Sequence, residues 1–448
     1  MTAGAAGAFP PGFVWGAATS AYQIEGAVAE EGRGESIWDR FAHTPGRTRG
    51  GETGDVADDH FHRHGTDVAL ISQLGLGAYR FSIAWPRIQP TGAGPANAAG
   101  LDFYDRLVDE LAERGIAPFV TLYHWDLPQP LEDAGGWPAR ETADAFAAYA
   151  EVVAGRLGDR AAAFITINEP WCVSNLGYRT GEHAPGRAEP DAALAAAHHV
   201  LLAHGLAVEA IRRAARGVPA GIALNFEPKH PASAHPLDLE AALVEHDRFN
   251  RWFLDPIAGL PYPEEGVRSW GWRREEIRPE DMAVISRPID FLGVNYYTRR
   301  IVRSPLLPPA PDAASDERTA MGWEVYPDGL GQTLEFVRSR TGDLPLYVTE
   351  NGAAFEDGPN PAADPARVAF LRRHLRVTLR SIADGVPLRG WFVWSLLDNF
   401  EWAQGYRPRF GVVRVDFDTQ ERLIRDSGRF LADVARANAL PAQDDASS

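Results

Sequence analysis

Two stretches of the chain run from a β-type segment directly into a glutamate. In AFITINEP, apolar and β-branched residues lead to Asn168 and Glu169, and Pro170 ends any strand ladder. In LPLYVTENG, a similar run leads to Glu350 and Asn351. A pair of carboxyl groups can hydrolyse a glycosidic bond when one is a protonated acid and the other is an anion that attacks the sugar. The same glutamates could instead be strand-end carboxylates that form ion pairs with arginines.

Such chemistry needs one carboxyl group that stays protonated and one that is ionised. Arg80 near Glu350 would favour the ionised form of that carboxyl group, and Tyr297 could donate a hydrogen bond to it. The negative charge of Glu350 would in turn keep Glu169 protonated.

Eight β-type runs alternate with amphipathic helical stretches along the chain. The runs are rich in Val, Ile, Phe and Tyr and mostly lack polar alternation, which is typical of strands buried on both faces of a parallel sheet. Between them, the stretch from Gly100 to Gly115 places Phe103, Leu107 and Leu111 on one helical stripe. The predicted strands are Phe13–Ala17, Tyr79–Ala84, Pro118–Tyr123, Phe164–Ile167, Gly221–Asn225, Phe291–Tyr296, Leu346–Thr349 and Trp391–Ser395.

This eightfold alternation predicts an α/β fold, a (β/α)8 TIM barrel. We expect one catalytic domain over residues 1–448, with a core of about 9–435 and a short disordered C-terminal tail. A doubly wound sheet is the alternative, but it would usually carry a Gly-rich phosphate-binding turn after its first strand. In a barrel, the active site lies at the carboxyl ends of the strands. The polar or aromatic residues predicted there are Gln23, Arg80, His124, Asn168, Glu169, Asn225, Asn295, Tyr297, Glu350 and Trp394.

Charge and cysteine content exclude some classes of partner. The chain has 61 acidic and 44 basic residues, a formal net charge of −17, which disfavours binding to nucleic acids and to anionic membranes. The single cysteine permits no internal disulfide, and the first residues lack the basic and apolar regions of a signal peptide. No stretch approaches the roughly 20 apolar residues of a membrane helix. We therefore expect a cytoplasmic protein without nucleic-acid or membrane partners.

One stretch could be mistaken for a metal site. DDHFHRHGTD contains several possible ligands, but their spacing mixes the faces of a helix start and matches no common zinc pattern. We therefore expect neither a metal nor a cofactor. The possible ligands are Asp59, His60, His62, His64 and Asp67.

Several motifs, in order along the chain, resemble glycoside hydrolase family 1, the β-glucosidase family. FVWGAATSAYQIEGA from Phe13 is similar to the N-terminal signature of the family, TINEP to its acid/base motif and VTENG to its nucleophile motif. YRFSIAWPRI, LYHWDLP, GVNYYTR and WSLLDNFEWAQGYRPRFG are also similar. The resemblance extends roughly from Phe9 to Ala435.

The resemblance implies roles for individual residues. Glu169 would be the acid/base and Glu350 the nucleophile, with Asn295 and Tyr297 supporting the nucleophile region. One departure from the family is Gln404, for which we expect only a small effect on contacts at the rim. The residues that would bind the sugar are Gln23, His124, Trp125, Asn168, Glu401 and Trp402, with Trp394 as the platform under its ring.

Two further residues are assigned to the leaving-group side of the site. Cys172, which follows NEPW, is expected to line the aglycone pocket, and its surroundings suggest no nucleophilic role. Trp323 either forms a wall of that pocket or only packs against the protein.

The sequence thus predicts a retaining exo-β-glycosidase that releases terminal, non-reducing β-D-glucosyl residues through a covalent glycosyl-enzyme intermediate. Its partners would be small-molecule β-glucosides and oligosaccharides. Within this class, β-galactosidase, β-fucosidase or broad β-glycosidase activity with transglycosylation remain alternatives. Two alternatives from other classes are a sugar-binding barrel without catalysis and a metal-dependent barrel hydrolase. The oligomeric state is left open.

Overall fold

The structure, a computed structural model, describes residues 7–271, 277–309 and 314–441. The predicted C-terminal tail therefore lies almost entirely outside the described residues. The strands are β1 Val14–Ala18, β2 Ala78–Ser82, β3 Ala117–Tyr123, β4 Ala163–Asn168, β5 Ala220–Phe226, β6 Lys229–Pro231, β7 Phe291–Tyr296, β8 Arg300–Val302, β9 Leu346–Asn351, β10 Leu388–Trp394, β11 Val413–Val415 and β12 Arg422–Ile424.

Eight of these strands form a closed parallel barrel in the order β1, β2, β3, β4, β5, β7, β9 and β10, and β10 pairs with β1 to close it. The register between neighbouring strands brings the functional residues to one end. Asn225 of β5 pairs with Asn295 of β7, and Asn295 pairs with Glu350 of β9. The other four strands form two small two-stranded sheets, β6 with β8 and β11 with β12.

Helices occupy the connections between the barrel strands, as the sequence predicts. The helices are α1 Ala21–Ile24, α2 Ile37–His43, α3 His60–Gln73, α4 Trp85–Ile88, α5 Ala98–Glu113, α6 Gln129–Asp133, α7 Glu141–Leu157, α8 Pro190–Ala214, α9 Pro236–His246, α10 Trp252–Ile257, α11 Glu264–Trp270, α12 Pro279–Ile285, α13 Asp328–Thr341, α14 Pro365–Ala383 and α15 Asp426–Ala437. Two π-helical segments follow β4 and α9, at Cys172–Thr180 and Asp247–Arg251.

The closed barrel confirms the predicted (β/α)8 fold, and each predicted strand overlaps an observed one. The largest difference is at the last barrel strand, which begins at Leu388 instead of Trp391. The strand before it also continues through Glu350 and Asn351, because Asn351 still pairs with Val393 of β10. Pairing with a neighbouring strand sets these ends, and a single-strand pattern does not contain that information.

The core has an outer and an inner part. Between sheet and helices, apolar stripes such as Phe103, Leu107 and Leu111 on α5 are buried, as predicted. Inside the barrel, a smaller cluster includes Phe119, Ile165 and Phe392. Gly16 of β1 leaves room for that cluster, since a Cβ atom there would lie 2.3 Å from the Phe392 ring. Burial of one large apolar side chain stabilises the fold by about 1.5–3 kcal/mol.

Helix α8 corrects one expectation from the sequence. Its length of 25 residues and its apolar composition are sufficient for a membrane span by these two criteria alone. However, most of this apolar stretch is buried inside the protein, where α8 packs against α7, β4 and β5. A helix of this kind is typical of the core of a folded domain, because it is apolar on nearly all sides.

Candidate active site

Glu169 lies immediately after β4 in a left-handed backbone conformation, with φ of +48°. This conformation is unfavourable for a residue other than glycine, at a cost of order 1–3 kcal/mol. Hydrogen bonds on both sides hold it. The Glu169 N–H donates to the Ala223 carbonyl of β5 at 2.9 Å, and the Glu169 carbonyl accepts from the Cys172 N–H at 2.9 Å. The carboxyl group is therefore placed by the end of the barrel strand and the first turn after it.

Glu350 lies on β9 with a donor on each carboxylate oxygen. Arg80 of β2 donates from Nη1 to Oε1 at 2.5 Å, and the Tyr297 hydroxyl donates to Oε2 at 2.6 Å. Burial and the nearby Glu350 charge raise the pKa of Tyr297 well above its ordinary value, so the phenol stays a donor. The Arg80 guanidinium is fully buried and also donates to Asn168 at 2.6 Å. Glu350 is thus held as a carboxylate would be, by charge-assisted hydrogen bonds.

Glu169 has the opposite surroundings. Burial, followed by the negative charge of Glu350, raises the pKa of the Glu169 carboxyl group to about 8. Its partners are neutral: Asn295 Nδ2 donates to Oε1 at 2.8 Å, and Cys172 Sγ donates to Oε2 at 3.1 Å. A carboxyl group with such a pKa is protonated near neutral pH and can act as a general acid.

Asn295 links the two carboxyl groups. Its Nδ2 donates to Glu169 and, at 3.0 Å, to Asn168. Its Oδ1 accepts from the Thr349 hydroxyl at 2.6 Å, next to Glu350 in the chain. The family resemblance associates Asn295 with the nucleophile region, whereas in the structure its amide contacts Glu169 directly.

Asn168 also orients His124. Because Asn168 Oδ1 accepts from Arg80 and from Asn295, its Nδ2 is the group that faces His124 Nε2, at 3.1 Å. Burial, followed by the Arg80 charge, lowers the pKa of His124 well below its ordinary value. The imidazole is therefore neutral, with Nε2 as acceptor and the proton on Nδ1.

Aromatic rings surround His124 on the side of β10. His124 stacks with Trp394, with ring centroids 5.7 Å apart, and Trp125 lies 4.7 Å from Trp402. Trp125 is fixed by a 2.9 Å hydrogen bond from its indole to the Asn168 carbonyl. Flat aromatic faces of this kind suit the C–H surface of a sugar ring.

Glu401 and Gln23 lie together at the edge of this aromatic group. Gln23 is fully buried and donates to the Phe400 carbonyl at 3.0 Å and to Glu401 Oε2 at 3.4 Å. Burial, followed by the charges of Glu350 and Glu169, raises the pKa of Glu401 to about 8. A third carboxyl group is therefore close enough to the pair to interact with both.

One cleft of about 480 Å³ joins these groups. Cys172 lines it, and its thiol also contacts the Glu169 carboxyl group directly, a contact that the sequence did not predict. Trp323 both lines the cleft and packs, with its ring 5.4 Å from Tyr297 and 6.2 Å from Phe410. Of the residues named from the sequence, those lining the cleft are His124, Trp125, Glu169, Cys172, Asn225, Asn295, Tyr297, Trp323, Glu350, Trp394, Glu401, Trp402 and Gln404.

Comparison with known proteins agrees with this geometry. Residues 5–440 match the profile of the family described as Glycosyl hydrolase family 1. The chain belongs to this family. It is 46% identical over 443 residues to "Beta-glucosidase A" of Acetivibrio thermocellus, covering 96% of this chain and 99% of that protein. It is also 46% identical over 465 residues to "Bifunctional beta-D-glucosidase/beta-D-fucosidase" of Bifidobacterium breve, covering 95% and 98%.

A solved structure shows the same fold. "Family 1 b-glucosidase from Thermotoga maritima" superposes with a TM-score of 0.92 at 44% sequence identity, covering 97% of this chain and 100% of that chain. The family 1 barrel therefore extends over nearly the whole protein.

Some residues of this family 1 cleft were not found from the sequence. His183 lines it, and so do Trp171, Glu227 and Phe249. Trp171 stands in the NEPW motif, so its position near Glu169 was detectable. The other residues lie in the connections between strands, where a sequence pattern carries little information about the direction in which a side chain points.

Gly352 of the VTENG motif has a steric role. A Cβ atom at this position would lie 1.6 Å from the Trp394 carbonyl oxygen. Only glycine lets the segment after Glu350 approach β10 so closely. A glycine at this position in the sequence is therefore typical of a place where two backbone segments approach closely.

The histidines and aspartates of DDHFHRHGTD face different partners. His60 is buried against Asp67 at 2.8 Å, whereas His62 is exposed and contacts Asp59 and Glu30. His64 contacts Glu110 on α5. Across the described ranges, no three His, Cys, Asp or Glu residues form a group that could hold a metal ion.

We predict that Cys172 tunes the pH dependence of this family 1 site. Its thiol hydrogen bond to Glu169 favours the ionised carboxylate and lowers the pKa of Glu169. Cys172→Ala removes that donor, so Glu169 should stay protonated to higher pH. The alkaline limb of the kcat/KM profile should then move up by about 0.5 pH unit, or about 0.7 kcal/mol.

Cys172→Ser is the matched variant, because a hydroxyl is a stronger donor than a thiol and should move the same limb down. Both profiles are measured with one aryl β-glucoside. If the alkaline limbs of both variants coincide with that of the unmodified protein, the thiol has no hydrogen-bonding role in the pH dependence.

Proposed function

We propose that this protein is a β-glucosidase that hydrolyses terminal, non-reducing β-D-glucosyl residues with retention of configuration. The observation that carries the proposal is the contrast between two carboxyl groups in one cleft. Glu350 has an ion-pairing guanidinium and a phenol on its oxygens, whereas Glu169 has neutral partners and a pKa of about 8. Such a pair of acid and nucleophile is what retaining hydrolysis requires.

The proposed reaction has two displacements. In the first, Glu350 attacks the anomeric carbon from the face opposite the leaving group, and Glu169 gives its proton to the leaving oxygen. Loss of that proton leaves Glu169 as a carboxylate. In the second, Glu169 takes a proton from water, the water oxygen attacks the same carbon, and the Glu350 ester is released. Glu169 is then protonated again and Glu350 is free.

Positioning residues hold this pair through the cycle. Arg80 and Tyr297 keep donors on Glu350, and Asn295 keeps one on Glu169. We assign sugar binding to the groups around Trp394, the platform, and to Glu401 as a hydroxyl acceptor. The other residues assigned to sugar binding are Gln23, His124, Trp125, Asn168 and Trp402.

The glucosyl preference is supported by the names of the relatives, since the Acetivibrio thermocellus protein is called a β-glucosidase. Small β-glucosides and oligosaccharides are therefore the proposed substrates. A second activity, β-fucosidase, is favoured by one observation, because the Bifidobacterium breve relative is named for both activities. Cytoplasmic localisation stays a prediction, and the single cysteine of the chain, Cys172, fits a reducing compartment.

A panel of aryl β-glycosides tests the proposal. We expect hydrolysis of the β-glucoside, with the β-anomer of glucose seen first by NMR, because two successive displacements at the anomeric carbon restore its configuration. The galactoside and fucoside in the same panel rank the alternatives. An α-anomer appearing first, or no hydrolysis of any member, would contradict the proposed reaction.

A further inference from the structure

The turn that carries Glu401 and Trp402 is a strained segment on the wall of the cleft. Trp402 has a left-handed backbone, with φ of +51°. After the single helical turn Trp402–Gln404, Gly405 has φ of +64° and ψ of −143°, a combination that strongly favours glycine. A strained segment of this kind keeps one conformation only when the contacts around it determine that conformation.

Gln23 and two tryptophans hold the first half of this turn. The Phe400 N–H donates to the Gln23 carbonyl at 3.1 Å, and the Gln23 side-chain amide donates to the Phe400 carbonyl at 3.0 Å. The ring of Trp402 lies 4.6 Å from that of Trp38 and 4.7 Å from that of Trp125. These contacts fix the backbone before Glu401 and the aromatic side chain after it, so the end of the turn depends on other partners.

The peptide group between Gly405 and Tyr406 is bound on both of its sides. Its carbonyl oxygen accepts from the Glu401 N–H at 2.8 Å, and its N–H donates to Glu52 Oε2 at 2.7 Å. A carboxylate on the N–H side polarises the peptide group and makes its carbonyl a stronger acceptor. Glu52 is therefore connected to the backbone of Glu401 through one peptide group.

Gly405 allows this connection and also makes it depend on Glu52. A Cβ atom at this position would lie 1.9 Å from Glu52 Oε2, so only glycine permits such a close approach. Glycine also leaves its own peptide group free to rotate, because no side chain restricts its backbone angles. Without an acceptor at Glu52, the carbonyl of Gly405 can turn away from the Glu401 N–H.

Glu52 belongs to the connection after β1 and is held there independently of the turn. The Thr48 hydroxyl donates to the Glu52 carbonyl at 2.7 Å. The Tyr406 hydroxyl donates to the Thr53 carbonyl at 2.7 Å, which is a second link between the same two loops. Within the described part of the chain, Glu401 is among the residues that line the cleft and Glu52 is not. Glu52 thus acts on Glu401 from behind the turn.

We propose that Glu52 is a positioning residue for sugar recognition. Its carboxylate holds the Gly405–Tyr406 peptide group and thereby aims the Glu401 carboxyl group at the hydroxyl groups of the sugar. Loss of Glu52 should therefore weaken only the part of recognition that Glu401 supplies. The inference rests on the proposed β-glucosidase function and adds to it a residue from the connection after the first barrel strand.

A double-mutant cycle between Glu52 and Glu401 tests the proposal, with kcat/KM for p-nitrophenyl β-glucoside as the measurement. Glu52→Ala removes the acceptor of the Tyr406 N–H and should lower kcat/KM by about 10-fold, whereas Glu52→Gln keeps a neutral acceptor and should lose only about 2-fold. In a Glu401→Gln background, Glu52→Ala should cause a further loss of less than about 2-fold, because the group that it positions is already impaired. Across aryl β-glucoside, β-galactoside and β-fucoside, the losses in Glu52→Ala should follow the same order as those in Glu401→Gln.

Tyr406→Phe is the matched control, because it removes the other hydrogen bond between the same two loops and leaves the peptide N–H and Glu52 in place. It should keep kcat/KM within about 2-fold of the unmodified protein. Circular dichroism establishes that each variant folds. If Glu52→Ala does not fold, Glu52→Asp takes its place in the cycle, because the shorter side chain also withdraws the acceptor.

Three results would overturn the inference. They are equal losses from Glu52→Ala in both backgrounds, an unchanged kcat/KM in Glu52→Ala, and a loss in Tyr406→Phe as large as that in Glu52→Ala. Each leaves the proposed function intact, because the unmodified protein still hydrolyses the glucoside. If the unmodified protein hydrolyses no β-glucoside, the proposed function itself fails.

Discussion

Glu350→Gly is expected to lower the turnover of aryl β-glucosides by on the order of 10⁴-fold or more, since no covalent intermediate can then form. Glu350 is the carboxylate that Arg80 and Tyr297 hold in the cleft. Its removal leaves a space that a small anion can occupy. Added azide should therefore restore consumption of an activated β-glucoside and yield the α-glucosyl azide, which NMR identifies.

The control experiment for Glu350→Gly must show that the variant still folds. Removal of Glu350 leaves the buried Arg80 guanidinium without its carboxylate, which can cost about 3–5 kcal/mol of stability. Circular dichroism and the melting temperature should accordingly show a folded but less stable protein. Turnover equal to that of the unmodified protein, or a β-configured azide product, would contradict the assignment of Glu350 as nucleophile.

Glu169→Ala is expected to give a loss that depends on the leaving group. A poor leaving group, such as the sugar of cellobiose, needs a proton from Glu169, so its kcat/KM should fall by about 10²–10⁴-fold. A dinitrophenyl leaving group departs without a proton, and its first step should change little. The measurement is kcat/KM for a series of aryl β-glucosides, with log kcat/KM plotted against the pKa of the leaving group.

A steeper slope in the variant than in the unmodified protein is the expected signature. Asn295→Ala is a useful comparison, because it removes a hydrogen bond to Glu169 but leaves the carboxyl group in place. Equal losses on good and poor leaving groups in Glu169→Ala would instead mean that Glu169 only maintains the structure.

The barrel and the two carboxyl groups could be predicted from the sequence because the information is local. A run such as Ala163–Ile167 is long and apolar enough to be a buried strand, and the glutamate that follows it must lie at the strand end. Eight such runs with helices between them restrict the topology to few solutions, and one of these is the closed barrel. The family motifs then added Glu401 and Trp402, which no periodic pattern would have indicated.

Contacts between distant segments were decided only by the tertiary structure. The thiol of Cys172 and the amide of Asn295 both contact Glu169, although Asn295 is 126 residues away in the chain. Likewise, the ring of Phe249 lies against that of Trp171, with centroids 4.3 Å apart, and its centroid lies 4.0 Å from the Nζ of Lys229. These contacts depend on strand register and on the path of each connection, which are set by packing over the whole barrel. Composition and spacing along the chain therefore predicted the two carboxyl groups, whereas closure of the barrel determined which residues contact them and raise the pKa of Glu169.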